Sequence, residues 1–114
     1  MDKLMFNKSA VKEIVEYIAS ISPSDSQVET QLIEDEIRGH YLLYSVGWEN
    51  NQHREYTAFV HIDVKPNGKV YIQHDGTDLN IAYMLVEKGV PKSDIVLAFK
   101  APFYRKHIRD FAEA

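Results

Sequence analysis

The hydrophobic period changes twice along this chain, and these changes constrain the fold more than any other feature. Apolar residues recur every three or four positions in residues 2–21, which predicts an amphipathic helix with Asp2 as its N-cap. Through residues 27–74 the segments instead have strand character, most clearly where apolar and polar residues alternate. The helical spacing returns in residues 81–88 and predicts a second helix.

Short turn signals divide the middle of the chain into four predicted strands. These strands cover residues 27–37, 40–48, 55–65 and 69–74, and we expect residues 40–48 to be buried on both faces. Lys65-Pro66-Asn67-Gly68-Lys69 is a hairpin signal, because Pro suits the first central position of a type I turn and Gly68 the left-handed position that follows. Short turns cannot connect parallel neighbours, so the four strands are expected to form an antiparallel meander.

The last third of the chain predicts a capped helix, a strand and a short terminal element. Asp75-Gly76-Thr77-Asp78 supplies capping oxygens before the helix, and Gly89 suits its C-cap. Residues 95–99 are an unbroken apolar run that indicates a short buried fifth strand, and Pro102 opens a C-terminal helix or turn. The expected fold class is α+β: N-terminal helix, four-strand antiparallel meander, capped helix, short buried fifth strand and C-terminal helix or turn, with the helices on one face of the sheet.

Composition limits the class of protein further. The chain has 114 residues and no cysteine, which excludes disulfides, thiolate zinc sites and a cysteine nucleophile. Its net charge of −4 disfavours a protein that coats nucleic acid. No apolar run approaches the roughly 18 residues of a membrane span, and the start lacks an export signal, so we expect a cytoplasmic protein. Residues 22–26 read as a loop rather than a linker, and we expect one domain over residues 1–114.

His61 and Asp63 form the first candidate site. Two positions apart on a predicted strand, their side chains share one face. The hairpin register places Asp63 opposite Tyr71 and His61 opposite Gln73. These four side chains make one polar-aromatic patch that could hold a metal, supply a general base or contact a partner, against the plainer interpretation of a solvated face or a hydrogen-bonded histidine. A third metal ligand is not evident, so we predict no metal site and no cofactor.

His74 is the second candidate. On the same register it lies opposite Val60, on the core side at the exit of the strand. We interpret it as a partly buried histidine that caps the next helix. A catalytic pair with Asp75 would need a nucleophile, and no serine sits in a glycine-flanked elbow. The residues therefore predict no catalytic residues and no enzyme.

The C-terminal end is basic, in contrast to the first half of the chain. Residues 1–57 carry five basic and ten acidic groups. Residues 100–109 contain no acid and include Lys100, Arg105, Lys106, His107 and Arg109. This cluster could contact phosphates or an acidic partner, although a solvated, salt-bridged terminus is the commoner outcome. Stacking aromatics are limited to Phe103 and Tyr104, which makes the nucleic-acid signal weak.

Trp48 centres an aromatic group with Tyr44 and Tyr56. Aromatic residues are enriched at protein interfaces, but packing in a core is their commoner role. Both interpretations of Trp48, core packing and partner contact, therefore stay open.

Several motifs occur in a characteristic order along the chain. They are Gly47-Trp48-Glu49 with Arg54, His61-Ile62-Asp63, Asn67-Gly68-Lys69, Tyr71-Ile72-Gln73-His74-Asp75-Gly76-Thr77, residues 85–99, and Pro102 with Arg105-Lys106-His107. Together they resemble the XisI family, the fdxN-element excision controlling factors of cyanobacteria. The resemblance is collinear and covers roughly residues 3–112.

The resemblance implies an accessory role in programmed DNA excision, a process linked to heterocyst differentiation. In that setting a site-specific recombinase cuts and rejoins DNA, and XisI controls the event with its frequent companion XisH, which resembles a nuclease. An XisH-like protein is therefore the expected partner of a non-enzymatic homodimer, with the recombinase and DNA as possible further contacts. The candidate contact residues are Trp48, His61, Asp63, Tyr71, Gln73, Arg105, Lys106, His107 and Arg109.

Two alternatives come from other functional classes. The first is direct DNA binding through Arg105, Lys106 and Arg109, which predicts an affinity that falls steeply with salt. The second is a metal-assisted hydrolase that uses His61 and Asp63, which predicts measurable binding of zinc or manganese.

Overall fold

The chain folds as a helix, an antiparallel meander, a second helix and a fifth strand. A computed structural model describes residues 2–23 and 27–114, so residues 24–26 of the predicted loop lie outside the described residues. The elements are α1 (Lys3–Ile21), β1 (Val28–Asp35), β2 (His40–Glu49), β3 (His53–Val64), β4 (Val70–Asp75), α2 (Ile81–Glu87), a 3-10 turn (Lys92–Asp94), β5 (Ile95–Leu97) and α3 (Pro102–Arg105). The strands follow one another in sheet order, antiparallel except for the parallel pair of β4 and β5. The predicted α+β architecture is confirmed.

Helix α1 begins at the predicted cap and covers one face of the sheet. The Asp2 carboxylate accepts a hydrogen bond from the Met5 amide at 2.8 Å. The inward side chains of the helix are buried against β1, β2 and β3: Ala10, Val11, Ile14, Val15 and Ile18. The buried Asn7 Nδ2 donates to the Gly68 carbonyl at 2.7 Å, which ties the helix to the β3–β4 turn.

Helix α2 is held at both ends by short-range contacts. Asp75 Oδ2 accepts a hydrogen bond from the Ile81 amide at 2.9 Å. Gly89 takes a φ of +101°, and the next amide, that of the buried Val90, donates to the Leu85 carbonyl at 3.0 Å. The predicted start and stop signals of this helix are therefore confirmed. In residues 2–23 and 27–114, no helix has the length and apolar character that crossing a membrane requires.

Alternation along β2 assigns its side chains to two different faces. Tyr41 and Leu43 are fully buried on the side where the helices pack. The side chains that alternate with these two along β2 are half-buried, and the last of them, Trp48, is exposed. The expectation that β2 is buried on both faces is therefore wrong, because α1 packs against the Tyr41 side. We call the side with Tyr41 the covered face and the opposite side the open face; on β2 the open face carries His40, Leu42, Tyr44, Val46 and Trp48.

A bulge in β4 changes the predicted pairing of His61. Ile62 lies opposite Ile72, as the hairpin register predicts, but His61 pairs with His74 instead of Gln73. Gln73 is the extra residue of the bulge, so β4 presents two residues to one on β3. The prediction that His61 and Gln73 are opposite partners is wrong for this reason.

The same bulge moves His74 away from the core. Asp75, rather than His74, lies opposite Val60, and His74 is exposed. The prediction of a partly buried His74 is therefore wrong, because one extra residue moves each later side chain of β4 by one position. Asp75, rather than His74, accepts the hydrogen bond from the first amide of the next helix.

The C-terminal segment turns back onto the sheet after a short fifth strand. β5 ends at Leu97, two residues before the end predicted for it, because the Ala98 amide already donates to the Val96 carbonyl in a turn. The final helix is one turn long and begins with Pro102, as predicted. Ala112 then forms a parallel bridge with Val96.

Candidate functional site

Four polar side chains from β2, β3 and β4 meet on the open face. His40 lies opposite Asp63, and His61 lies two positions away on the same face. His40 Nδ1 and His61 Nε2 lie 2.7 and 2.9 Å from the same atom, Asp63 Oδ1. Gln73 Nε2 donates to the other oxygen, Asp63 Oδ2, at 3.1 Å. We call these four residues the histidine–aspartate cluster.

Asp63 is the buried member of the cluster. Only 7% of this residue is exposed, whereas the side chains of His40 and His61 are 44% and 34% exposed. Burial by itself raises the pKa of Asp63, but the hydrogen bonds from both imidazoles and from Gln73, with the charge of His61, outweigh burial and hold this pKa below its ordinary value. The cluster therefore holds an ionised carboxylate beneath two half-exposed imidazoles.

The predicted polar-aromatic patch is largely brought together. Asp63 lies opposite Tyr71, as the hairpin register predicts. Gln73 reaches Asp63 from its bulge, and the Lys65 ammonium lies 5.3 Å from the centroid of the Tyr71 ring. His61 is therefore a hydrogen-bonded histidine rather than a member of a plain solvated face.

Sequence reasoning missed His40, which completes the cluster. Regular pairing onward from Tyr44 and Ala58 would place His61 opposite Tyr41 and would leave His40 opposite an apolar residue. A bulge at Phe59 shifts the register by one residue and brings His40 opposite Asp63 instead. The polar turn at residues 49–53 contains no signal for this bulge, so the sequence pattern could not identify His40 as a member.

Trp48 lies at the far end of β2, roughly 26 Å along the strand from His40 at about 3.3 Å per residue. The Arg54 guanidinium carbon is 5.4 Å from the ring centroids of both Trp48 and Tyr56. The Tyr44 and Tyr56 rings pack against each other at 5.4 Å between centroids, with their planes tilted by 45°. Trp48 and Tyr56 are 49% and 63% exposed, so this group lies at the surface rather than in the core. We call Tyr44, Trp48, Arg54 and Tyr56 the aromatic tip.

Arg105 is engaged with the backbone of its own segment. Its Nε donates to the Lys100 carbonyl at 2.8 Å, and its Nη2 donates to the Ala98 carbonyl at 3.1 Å. A longer contact of 3.5 Å joins Nη1 to the Glu113 carbonyl. The guanidinium therefore fastens the C-terminal segment to the residues that follow β5, and these contacts use N–H donors that would otherwise be free for a phosphate.

The other basic candidates lie on the surface around Phe103. Lys106 Nζ is 4.7 Å from the centroid of the Phe103 ring, and the His107 ring is 5.9 Å from it. Both residues are exposed, as is Arg109. The predicted cluster thus divides into a structural member, Arg105, and four exposed members, Lys100, Lys106, His107 and Arg109.

A cleft of about 870 Å³ lies between α2 and the C-terminal segment. Its walls are mainly apolar and aromatic, with two acidic residues at one side: Ile72, Tyr83, Leu97, Tyr104, Phe111, Asp75 and Asp78. Lys100 and His107 of the predicted basic cluster also line this cleft. Sequence reasoning missed the cleft because its walls come from separate parts of the chain that only the fold brings together.

The covered face contains a second carboxylate, and its pKa shifts in the opposite direction from that of Asp63. Glu34 lies opposite Tyr41 on β1. Burial, with the added negative charge of Glu16, raises the pKa of Glu34. Burial also raises the pKa of Tyr41 to about 12. Among the residues that the structure describes, neither the Tyr41 hydroxyl nor Glu34 Oε2 has a hydrogen-bond partner.

Comparisons with known proteins give a consistent result. The sequence matches the family described as "XisI protein" over residues 1–113. The crystal structure of an XisI-like protein from Anabaena variabilis is similar at a TM-score of 0.91 and 40% identity, covering 97% of this chain and 99% of that chain. The structure of fdxN element excision controlling factor XisI from the same organism is similar at a TM-score of 0.83 and 34% identity, covering 99% and 100%. None of the curated proteins matches the chain.

Proposed function

We propose that this chain, which belongs to the XisI family, is a non-enzymatic accessory protein of the cytoplasm that controls excision of a DNA element through protein–protein contacts. The observation that carries the proposal is the similarity, at 34% identity over 99% of this chain, to the protein named fdxN element excision controlling factor XisI. The proposed partner is an XisH-like protein, and the recombination system is reached through this complex. The working form of the chain is a homodimer.

The open face supports a role in binding. Leu42 and Val46 are half-buried there, and Ile33 lies opposite Leu42 with 44% of its surface exposed. Apolar side chains on a sheet face that the described helices leave uncovered are typical of an interaction surface. The aromatic tip continues this surface, and its Trp, Tyr and Arg residues are the types that dominate binding energy at interfaces.

The test is co-purification of the chain with the XisH-like protein from the same genome, in about 0.1 M and about 1 M salt. We expect a stoichiometric complex that survives high salt, because apolar and aromatic contacts are screened less than ion pairs. Light scattering on the same sample measures the number of copies of the chain. Absence of a complex at both salt concentrations would contradict the proposal.

Matched variants locate the interface. Tyr56→Ala removes an aromatic side chain of the aromatic tip, and we expect the complex to weaken at least about tenfold, a hot-spot-sized loss. Tyr17→Ala is the control, because Tyr17 is exposed to a similar degree, 52% against 63%, but lies on α1. Equal losses from both substitutions would exclude the aromatic tip as the specific contact.

Direct DNA binding is the second candidate function. The exposed side chains of Lys106 and Arg109 favour it, within a segment that contains no acid. Two phosphate contacts would give a slope of about −1.8 for log affinity against log salt concentration, and Lys106→Glu with Arg109→Glu would abolish the binding. Arg105→Glu is a poorer test, because its loss also releases the C-terminal segment. Retention of the wild-type chain on a duplex, with no XisH complex, would favour this function.

A further inference from the structure

The histidine–aspartate cluster contains three metal-ligating side chains from two neighbouring strands. One ligand atom from each of His40, His61 and Asp63 lies within 4.8 Å of the other two. We propose that these three residues bind a divalent transition-metal ion of the zinc type through His40 Nδ1, His61 Nε2 and Asp63 Oδ1. This inference is independent of the proposed excision-control function, and His40 is the third donor that the sequence pattern does not reveal.

The spacing of the donors fits an ion after small movements. With ligands about 2.1 Å from the metal, neighbouring ligand atoms lie about 3.0 Å apart in octahedral and about 3.4 Å apart in tetrahedral geometry. Both histidine nitrogens lie slightly closer than this to Asp63 Oδ1, at 2.7 and 2.9 Å. Their rings are half-exposed, so each has room to move back by about half an ångström as an ion enters.

The surrounding structure orients the carboxylate. Gln73 donates to Asp63 Oδ2, which leaves Oδ1 turned toward both imidazoles. Such an outer hydrogen bond is typical of metal-ligating carboxylates. All three ligands lie within paired strands rather than loops, so the strand register holds their backbone positions.

The donor chemistry selects the class of ion. Two imidazole nitrogens and one carboxylate suit zinc, nickel, cobalt or iron(II), whereas magnesium and calcium prefer oxygen ligands alone. Three protein ligands on an exposed face leave at least one coordination position for water or for a donor from another molecule.

Isothermal titration calorimetry of the full chain with zinc chloride tests the site, after the protein has been treated with a chelator. We expect one ion per chain, and at least a tenfold loss of affinity in His40→Ala and in His61→Ala. His53→Ala is the matched control, because His53 is exposed at the start of β3 and lies outside the cluster. Its affinity for zinc should equal that of the wild type.

A cobalt titration followed by visible absorption provides a readout of coordination that does not depend on heat or stability. The conservative variant Asp63→Asn keeps the shape of the side chain and should shift this spectrum and weaken binding. Circular dichroism of each metal-free variant identifies any that fail to fold. No zinc binding by the wild type, or equal losses in His53→Ala and His40→Ala, would overturn the proposal and leave the cluster as a hydrogen-bond network.

Discussion

The two faces of the sheet contain carboxylates that burial affects in the same way but whose pKa values shift in opposite directions. On the open face, Asp63 is buried but accepts hydrogen bonds from two imidazoles and an amide, and its pKa falls. On the covered face, Glu34 lies near a second carboxylate, that of Glu16, and its pKa rises. The comparison teaches that burial alone does not set the direction in which the pKa of a carboxyl group shifts, because the hydrogen-bond donors and charges around the group also contribute.

Within the single strand β3, the residues of the covered face contribute to the core, and the residues of the open face form the polar cluster. Val60, Ile62 and Val64 of β3 are almost completely buried in the hydrophobic core of the covered face. His61 and Asp63 alternate with them and form the cluster on the open face. The period of two along a strand therefore lets one segment serve both roles.

The largest expected effect comes from truncating a buried side chain on the covered face. Ile62→Ala should lower the free energy of unfolding by about 2–5 kcal/mol, because it leaves a cavity at a fully buried position. Tyr71→Ala, on the open face of the neighbouring strand, should cost about 1 kcal/mol or less. Urea unfolding followed by circular dichroism measures both values. Equal losses of unfolding free energy in the two variants would contradict the expected difference between the covered face and the open face.

A smaller effect is expected at the open-face carboxylate. Asp63→Asn should lower the free energy of unfolding at pH 7 by about 1–3 kcal/mol, because the hydrogen bonds to a charged acceptor are weakened. The pKa of Asp63 is lower in the folded state, so its stabilising effect is present above the ordinary value of about 4 and is lost as the pH falls through the folded value.

The pH dependence of unfolding separates this charge effect from loss of packing. The difference in unfolding free energy between wild type and Asp63→Asn should be present at about pH 5 and should shrink below about pH 4. Urea unfolding at these pH values measures it. A difference that persists unchanged in acid would show that the carboxylate charge is not its cause.

The smallest effect has the opposite sign and lies on the covered face. The pKa of Glu34 is raised in the folded state, so ionisation at neutral pH opposes folding. Glu34→Gln should therefore raise the free energy of unfolding at pH 7 by roughly 0.5 kcal/mol. The gain should disappear below about pH 4, the ordinary glutamate pKa, because wild-type Glu34 is then protonated in both states.

A residue on the same strand provides the control for this substitution. Glu29 also lies on β1, but it is on the open face, opposite Val46, and is exposed. Glu29→Gln should leave the thermal unfolding midpoint unchanged within error at pH 7. An equal increase in stability in both variants would show that the stabilisation comes from the net charge of the chain rather than from the local environment of Glu34.

The parts of the fold that were predictable depend on contacts close in sequence. The cap of α1 joins Asp2 to the amide three residues later, and the β3–β4 turn depends on Gly68 with a φ of +88°. The end of α2 depends on Gly89 in the same way. Such signals are read directly from residue types, because each interaction closes within one turn of the chain.

The candidate site was predictable only where it depends on the β3–β4 hairpin. The opposition of Asp63 and Tyr71 follows from the turn, and it is observed. The sequence does not predict that His40 belongs to the cluster, because a bulge in β3 sets the pairing of His40 with Asp63. The aromatic tip was recognised as a group, but its exposure was left open because residue types alone do not reveal which sheet face the helices cover.

The sequence by itself determined the order of helices and strands, their caps and turns, and the resemblance to the XisI family. The tertiary structure alone decided the bulges at Phe59 and Gln73, the meeting of His40 with Asp63, and the cleft beside α2. The physical reason is that a one-residue shift of register moves every later side chain to the other face. Packing of the whole sheet against the helices selects which shift occurs, and no local pattern contains that information.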